Sequence, residues 1–166
     1  MKVYGYCRIS TSKQSMERQI RNIKLAYPDA VIVKETYTGT KIQGRKEFEK
    51  LLKIVSTGDT LVFDSVSRMS RTAQEGYEMY QKLYNQGVSL VFLKEPHINT
   101  STYQQAMENQ LSVNVKTGDQ ASEELLSGIF GALNRYMLNL AKRQIQLAFE
   151  QAEKEVTDLH QRTREG

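Results

Sequence analysis

Apolar residues alternate between two periods along the first hundred positions, and that alternation predicts the elements. Residues 2–7 (KVYGYC), 30–35 (AVIVKE), 60–64 (TLVFD) and 88–95 (VSLVFLKE) are short, β-prone runs bounded by polar or turn residues, so each reads as a strand. Between them the period becomes helical. Met16, Gln19, Ile20 and Ile23 share one face of a helix predicted over Ser12–Tyr27, which Pro28-Asp29 closes. Phe48, Leu51, Leu52 and Val55 do the same over Lys46–Ser56, which Gly58-Asp59 closes. A third helix is expected over 73–86, ending at Gly87, while SVSRMSRT (65–72) reads as a polar, basic connector.

Strands alternating with helices of this length predict an α/β fold, with a mostly parallel central sheet, helices on both faces and right-handed crossovers. In such sheets ligands meet the chain beyond the carboxyl ends of the strands. Those ends carry Arg8–Ser10, the loop 36–45, residues 65–71 and residues 95–100.

Residues 101–118 are polar and read as a short helix followed by a loop. From Ser122, a candidate N-cap, to Arg162 there is no proline, and Leu126, Leu133, Leu140 and Leu147 recur every seventh position. An unbroken helix there would be about 60 Å long, more than its own sheet can cover. Its far half is therefore expected to meet a partner, the alternative being a kinked pair turning near 144–151. The division expected is a catalytic α/β domain over 1–120 and a long helical extension for dimerisation over 121–166.

Charge sharpens this picture. The net charge is +4, but residues 1–71 hold 14 Lys/Arg against 7 Asp/Glu (14 − 7 = +7), and residues 72–166 hold 9 against 12 (9 − 12 = −3). A basic half points to an anionic partner such as nucleic acid. The single cysteine, Cys7, excludes a disulfide framework and a cysteine zinc site, and a reducing, cytoplasmic setting is expected. No apolar run is long enough for a membrane span. No Walker loop and no GxGxxG follows a strand, and His97 and His160 read as polar surface residues.

What remains is a serine among arginines. Ser10 follows the first strand, Arg45 lies in the loop after the second, and Arg68 and Arg71 follow the third. A hydroxyl needs activation to act as a nucleophile, and a phosphoryl group under attack needs its oxygens neutralised, for which planar guanidinium forks are suited.

With these residues in view, the chain resembles the catalytic domain of the serine site-specific recombinases, the resolvase/invertase family. The resemblance rests on Tyr6-x-Arg8-Ile9-Ser10-Thr11, on Gln14 and Gln19, on Gly44-Arg45-x-x-Phe48, on Gly58-Asp59-x-Leu61-Val62-Phe63, and on Arg68-x-x-Arg71. Leu93–Ser101 and Gln161-Arg162-Thr163-x-x-Gly166 are similar to later family segments. The resemblance implies that Ser10 attacks a DNA phosphodiester, forming a 5′-phosphoserine and releasing a 3′-hydroxyl. It implies that Arg8, Arg45, Arg68 and Arg71 bind and activate the phosphate, with Gln14, Gln19, Asp59 and Arg162 supporting. It also implies double-stranded DNA as partner, a homodimer that becomes a tetramer during strand exchange, and no metal or other cofactor.

The sequence departs from the family at Ser67, where an aspartate normally precedes the first arginine of the Arg-x-x-Arg pair. Asp64 lies three residues earlier, but strand alternation argues against its facing the same way. Asp59 also fits a plain turn. In the late motif the family's Glu-Arg pair falls on Glu155-Val156, so one arginine is missing. Ser67 and Val156 leave a second reading, a catalytically impaired DNA-binding or regulatory module on the recombinase fold. A flavodoxin-like small-ligand domain is a third, which would hold a stoichiometric nucleotide or flavin. No helix-turn-helix or zinc module is legible, so the chain is expected to be the catalytic part of a longer protein.

Overall fold

A computed structural model covers all 166 residues. Four parallel strands form one sheet in the order β2-β1-β3-β4: β1 (Val3–Ile9), β2 (Val31–Thr36), β3 (Thr60–Phe63) and β4 (Ser89–Phe92). The α/β architecture expected from the alternating periods is the one observed. The register sets Tyr6 beside Val33 and Phe63, and Phe63 beside Phe92.

Helices α1 (Glu17–Ala26) and α2 (Lys46–Ile54) connect the first three strands. α1 starts five residues later than the pattern predicted, because residues 10–16 form a turn rather than a first helical turn. It buries Gln19 and Ile23, and Ile23 packs with Cys7, Ala30 and Val62 in a small core on one sheet face. The larger core covers the other face: Tyr6, Phe48, Phe63, Phe92, Tyr80 and Phe149 form a chain of aromatic contacts with ring centroids 4.7–6.4 Å apart. Burying rings at this spacing gives the domain its main apolar stabilisation.

The connector after β3 is not irregular throughout. Val66–Met69 forms a one-turn helix, α3, too short to leave a periodic signal. α4 (Ala73–Asn85) follows, and Gly87, at φ 76°, reverses the chain into β4 in a conformation that favours glycine. Beyond β4 come a 3₁₀ turn (Pro96–Ile98) and α5 (Thr100–Glu108).

α6 is one helix of 46 residues, Gln120–Glu165, about 69 Å long. Its N-cap is Asp119, not Ser122: the Asp119 carboxylate accepts from the Ser122 N–H and hydroxyl. α6 packs on α4, α3 and α5 and buries Ile145, Phe149 and Ala152 in the main core. Phe149 lies against Gly76 of α4, where a Cβ would come within 2.3 Å of the ring. The middle of α6 is thus part of the α/β core rather than an appendage, while Leu133, Met137, Leu140 and Leu147 remain exposed. No helix is long and apolar enough to cross a membrane.

Candidate active site

Where β3 ends at Phe63, β1 runs on for three more residues. The Ile9 carbonyl accepts from Tyr37 on the β2 side, so the Arg8 backbone faces the side that β3 has vacated. Two glutamines occupy it. The Gln19 side chain accepts from the Arg8 N–H at 3.0 Å and donates to the Arg8 carbonyl at 2.9 Å. One step further, the Gln14 side chain accepts from the Ser10 N–H at 2.8 Å. These amides finish the ladder that β3 leaves open, and they hold Arg8 and Ser10 at the sheet edge.

Four guanidinium groups converge there. Arg8 and Arg45 are 1% and 0% exposed, which is rare for arginine. α3 explains part of it. Arg8 donates to the carbonyls of Ser67 (2.6 Å) and Arg68 (3.3 Å), and Arg45 donates to that of Met69. These carbonyls belong to the end of a short helix and have no partner within it. Arg68 returns a bond to the Arg8 carbonyl at 3.1 Å. Arg71 reaches the Thr38 carbonyl at 3.3 Å and donates to the hydroxyl of Ser10. Arg45 is fixed from below because Glu35 of β2 accepts from the first amides of α2, those of Glu47 and Phe48, at 2.8 and 2.9 Å. It also lies over the Tyr37 ring, 5.8 Å from its centre.

The guanidiniums are not fully satisfied. Arg8 Nη1, Arg45 Nε and Nη2, and Arg68 Nε are buried without a hydrogen-bond partner, as is the Tyr6 hydroxyl. Burial and the neighbouring charges of Arg45 and Arg71 lower the Arg8 pKa to about 9. Burial likewise lowers those of Arg45, Arg68 and Arg71. Burial raises the Tyr6 hydroxyl above its ordinary value. A buried cluster of like charges with spare donors is the electrostatic arrangement that an oxyanion relieves.

Of the sequence-selected residues, Arg8, Ser10, Gln14, Gln19, Arg45, Arg68 and Arg71 come together. Two do not. Asp59 precedes β3 at the opposite end of the sheet, where its carboxylate accepts from the Lys2 N–H at 2.8 Å and from the Ser56 N–H and hydroxyl. That is the turn alternative, and it corrects the grouping of Asp59 with the serine. Arg162 is exposed near the end of α6, ten positions beyond Ala152, the last α6 residue in the core, and so about 15 Å further along the helix axis. Within one chain it is not with the cluster, because the helix carries it past the body of the domain.

Three contributors went unselected. Glu35 lies in a strand that reads as plain structure, although an acid ending a strand is an available signal, and Tyr6 enters the motif of the first strand with no role of its own. Alternation along β3 points Asp64 away from the arginines, yet it is 0% exposed and close enough for its charge to oppose the lowering of the Arg68 pKa. Alternation holds only within a strand, and Arg68 is carried back by α3. Beside Arg68, a cleft of about 660 Å³ opens between residues 65–68, residues 94–97 and Gln144–Glu155 of α6.

A parallel α/β domain with a serine hydroxyl held by arginine at one sheet edge defines a class built to handle an anionic group. The chain belongs to the family described as "Resolvase, N terminal domain", whose profile matches residues 3–157. It is similar to a resolvase of Clostridium perfringens, 30% identical over 98 residues, which are 58% of this chain and 51% of that protein. It is similar to the transposon Tn21 resolvase of Escherichia coli, 32% identical over 107 residues (63% and 53%), and to the transposon Tn501 resolvase of Pseudomonas aeruginosa, 34% identical over 93 residues (55% and 46%). The chain therefore spans about half the length of the curated relatives it matches. A crystal structure of a resolvase family site-specific recombinase from Streptococcus pneumoniae aligns with a TM-score of 0.48 at 23% identity, over 92% of this chain and 98% of that one.

Proposed function

We propose that this chain is the catalytic domain of a DNA recombinase that cuts and rejoins strands through Ser10. The observation that carries the reading is the set of buried, unpartnered guanidinium donors around a serine hydroxyl. In the proposed step the Ser10 Oγ attacks the phosphorus of a DNA phosphodiester. The Oγ–P bond forms and the P–O3′ bond breaks. The serine proton departs, the 3′-oxygen gains a proton, and the 5′-phosphate stays on the serine. Attack by a 3′-hydroxyl on that linkage reverses the step and regenerates Ser10.

Arg8, Arg45, Arg68 and Arg71 supply the positive charge that neutralises the negative charge developing on the oxygens of the pentacoordinate phosphorus, and Arg71 also orients the Ser10 hydroxyl. Gln14 and Gln19 position the serine and Arg8 through the backbone. Membership in the resolvase family and the names of the similar transposon resolvases support recombination as the purpose of this chemistry. Duplex DNA as partner follows from the same reading. The exposed apolar stripe of α6, Leu133 to Leu147, supports self-association as a dimer that becomes a tetramer during exchange.

Ser10→Ala in the intact protein tests the reading. The substrate is a supercoiled plasmid carrying the genomic DNA that flanks this protein's gene. Cleavage should be lost while DNA binding is retained, because the phosphate contacts remain. Cleavage by the alanine variant at the wild-type rate would end the proposal.

A further inference from the structure

At position 67, beside Arg68, this chain has a serine, and its hydroxyl is engaged with the Ser65 hydroxyl at 2.9 Å. No acid at that position faces the arginines. The buried carboxyl of Asp64 is four residues before Arg68, across the turn from β3 into α3. Its Oδ1 accepts from Asn22 Nδ2 of α1 at 2.9 Å. Its Oδ2 lies 3.4 Å from Lys94 Nζ but accepts no hydrogen bond, and it is buried. Arg68 Nε is a buried donor without an acceptor. Asp64 Oδ2 and Arg68 Nε are thus a buried acceptor and a buried donor, both without a hydrogen bond, on side chains whose charges interact.

We propose that Asp64 is the positioning residue of Arg68: the carboxyl, aimed by Asn22, draws the guanidinium so that its outer edge is presented to the phosphate beside Ser10. The proposal rests on the strand-transfer reading above. Burial lowers the Arg68 pKa, and Asp64 supplies the largest favourable charge against that loss. Lys94 is half-exposed and makes no hydrogen bond to Asp64, so it neutralises Asp64 from the solvent side without fixing its direction. Arg68 donates to the Arg8 carbonyl from Nη1, so a carboxyl at Nε would leave Nη2 free for a ligand. Asp64 touches no substrate in this scheme and acts only through Arg68.

A double-mutant cycle reads this directly, using the intact protein and the plasmid substrate described above. Single-turnover cleavage and DNA affinity are measured for wild type, Asp64→Asn, Arg68→Ala and the double variant. Asp64→Asn should slow cleavage roughly tenfold to a hundredfold, the scale of losing a partner that orients a site group, with affinity nearly unchanged. In the Arg68→Ala background it should cost less than about twofold more, because its route of action is gone. Ser67→Asp added to Asp64→Asn should recover part of the rate.

Losses that multiply in the double variant, or a normal rate in Asp64→Asn, would overturn the proposal. If Asp64→Asn melts the domain, Asn22→Ala takes its place in the cycle. It removes only the bond that aims the carboxyl, and non-additivity with Arg68→Ala is again required. Absence of cleavage by wild type, with no serine-linked DNA, would instead remove the strand-transfer reading itself.

Discussion

Replacing Gln19 by leucine separates the ladder-finishing role of this side chain from its bulk. Gln19 is 3% exposed and meets both backbone groups of Arg8, the residue at which β1 has outrun β3. Leucine fills a similar volume but offers neither donor nor acceptor. The Arg8 carbonyl would keep the bond from Arg68 at 3.1 Å, whereas the Arg8 N–H would be left with no partner. A buried donor without an acceptor costs about 1–3 kcal/mol, and loss of one of the carbonyl's two bonds adds up to about 1 kcal/mol. The expected loss is therefore about 1–4 kcal/mol. Urea unfolding should show the midpoint falling at unchanged slope, and the melting temperature should drop by roughly 2–16 °C. The exposed Gln14 is the contrast: Gln14→Ala should change stability by less than about 0.5 kcal/mol while slowing cleavage, since it holds only the Ser10 N–H. A Gln19→Leu variant within about 0.5 kcal/mol of wild type would refute the idea that glutamine completes the sheet edge.

Arg8→Ala, Arg68→Ala and Arg71→Ala should each slow single-turnover cleavage at least about 10²-fold, with lysine at 68 or 71 restoring only part; near-normal cleavage by an alanine variant would remove that arginine from the site. Asp59 is held below the ordinary carboxylate value by the Lys2 and Ser56 N–H groups. Its stabilisation is thus present above the unfolded value near pH ~3.9 and lost as the pH falls through the depressed folded value. The stability gap between wild type and Asp59→Asn should be open near neutral pH and close under acid, and a gap constant with pH would contradict this. Leu140→Glu should shift sedimentation towards monomer without lowering the melting temperature, because Leu140 is exposed in the single chain; a collapse in melting temperature would show that it packs internally.

Much of the fold was legible because it rests on local period. The four strands, the helical faces of α1 and α2 and the length of α6 all follow from the spacing of apolar residues. The serine and the four arginines were legible as a set because the parallel topology sends every strand's carboxyl end to one edge. What escaped was non-local or too short. Gln19 fell on an apolar helical face, a polar residue where burial was expected, but its bonds to Arg8 span eleven positions. α3 is a single turn with no period to read. Its carbonyls nevertheless explain how Arg8 and Arg45 can be buried. Asp59 looked like part of the site from its motif, yet the start and the end of a strand lie at opposite edges of the sheet. Alternation excluded Asp64 only by treating the chain beyond Phe63 as strand.

The claim that organises all of this is that Ser10 carries the DNA. The intact protein, incubated with the flanking-DNA plasmid and quenched in denaturant, should yield a protein–DNA adduct. After nuclease and protease digestion, mass spectrometry should place a 5′-linked nucleotide on the peptide containing Ser10, and the Ser10→Ala variant should give none. A nucleotide mapped to Ser12, Ser67 or Ser70, or an adduct that persists in Ser10→Ala, would contradict the account.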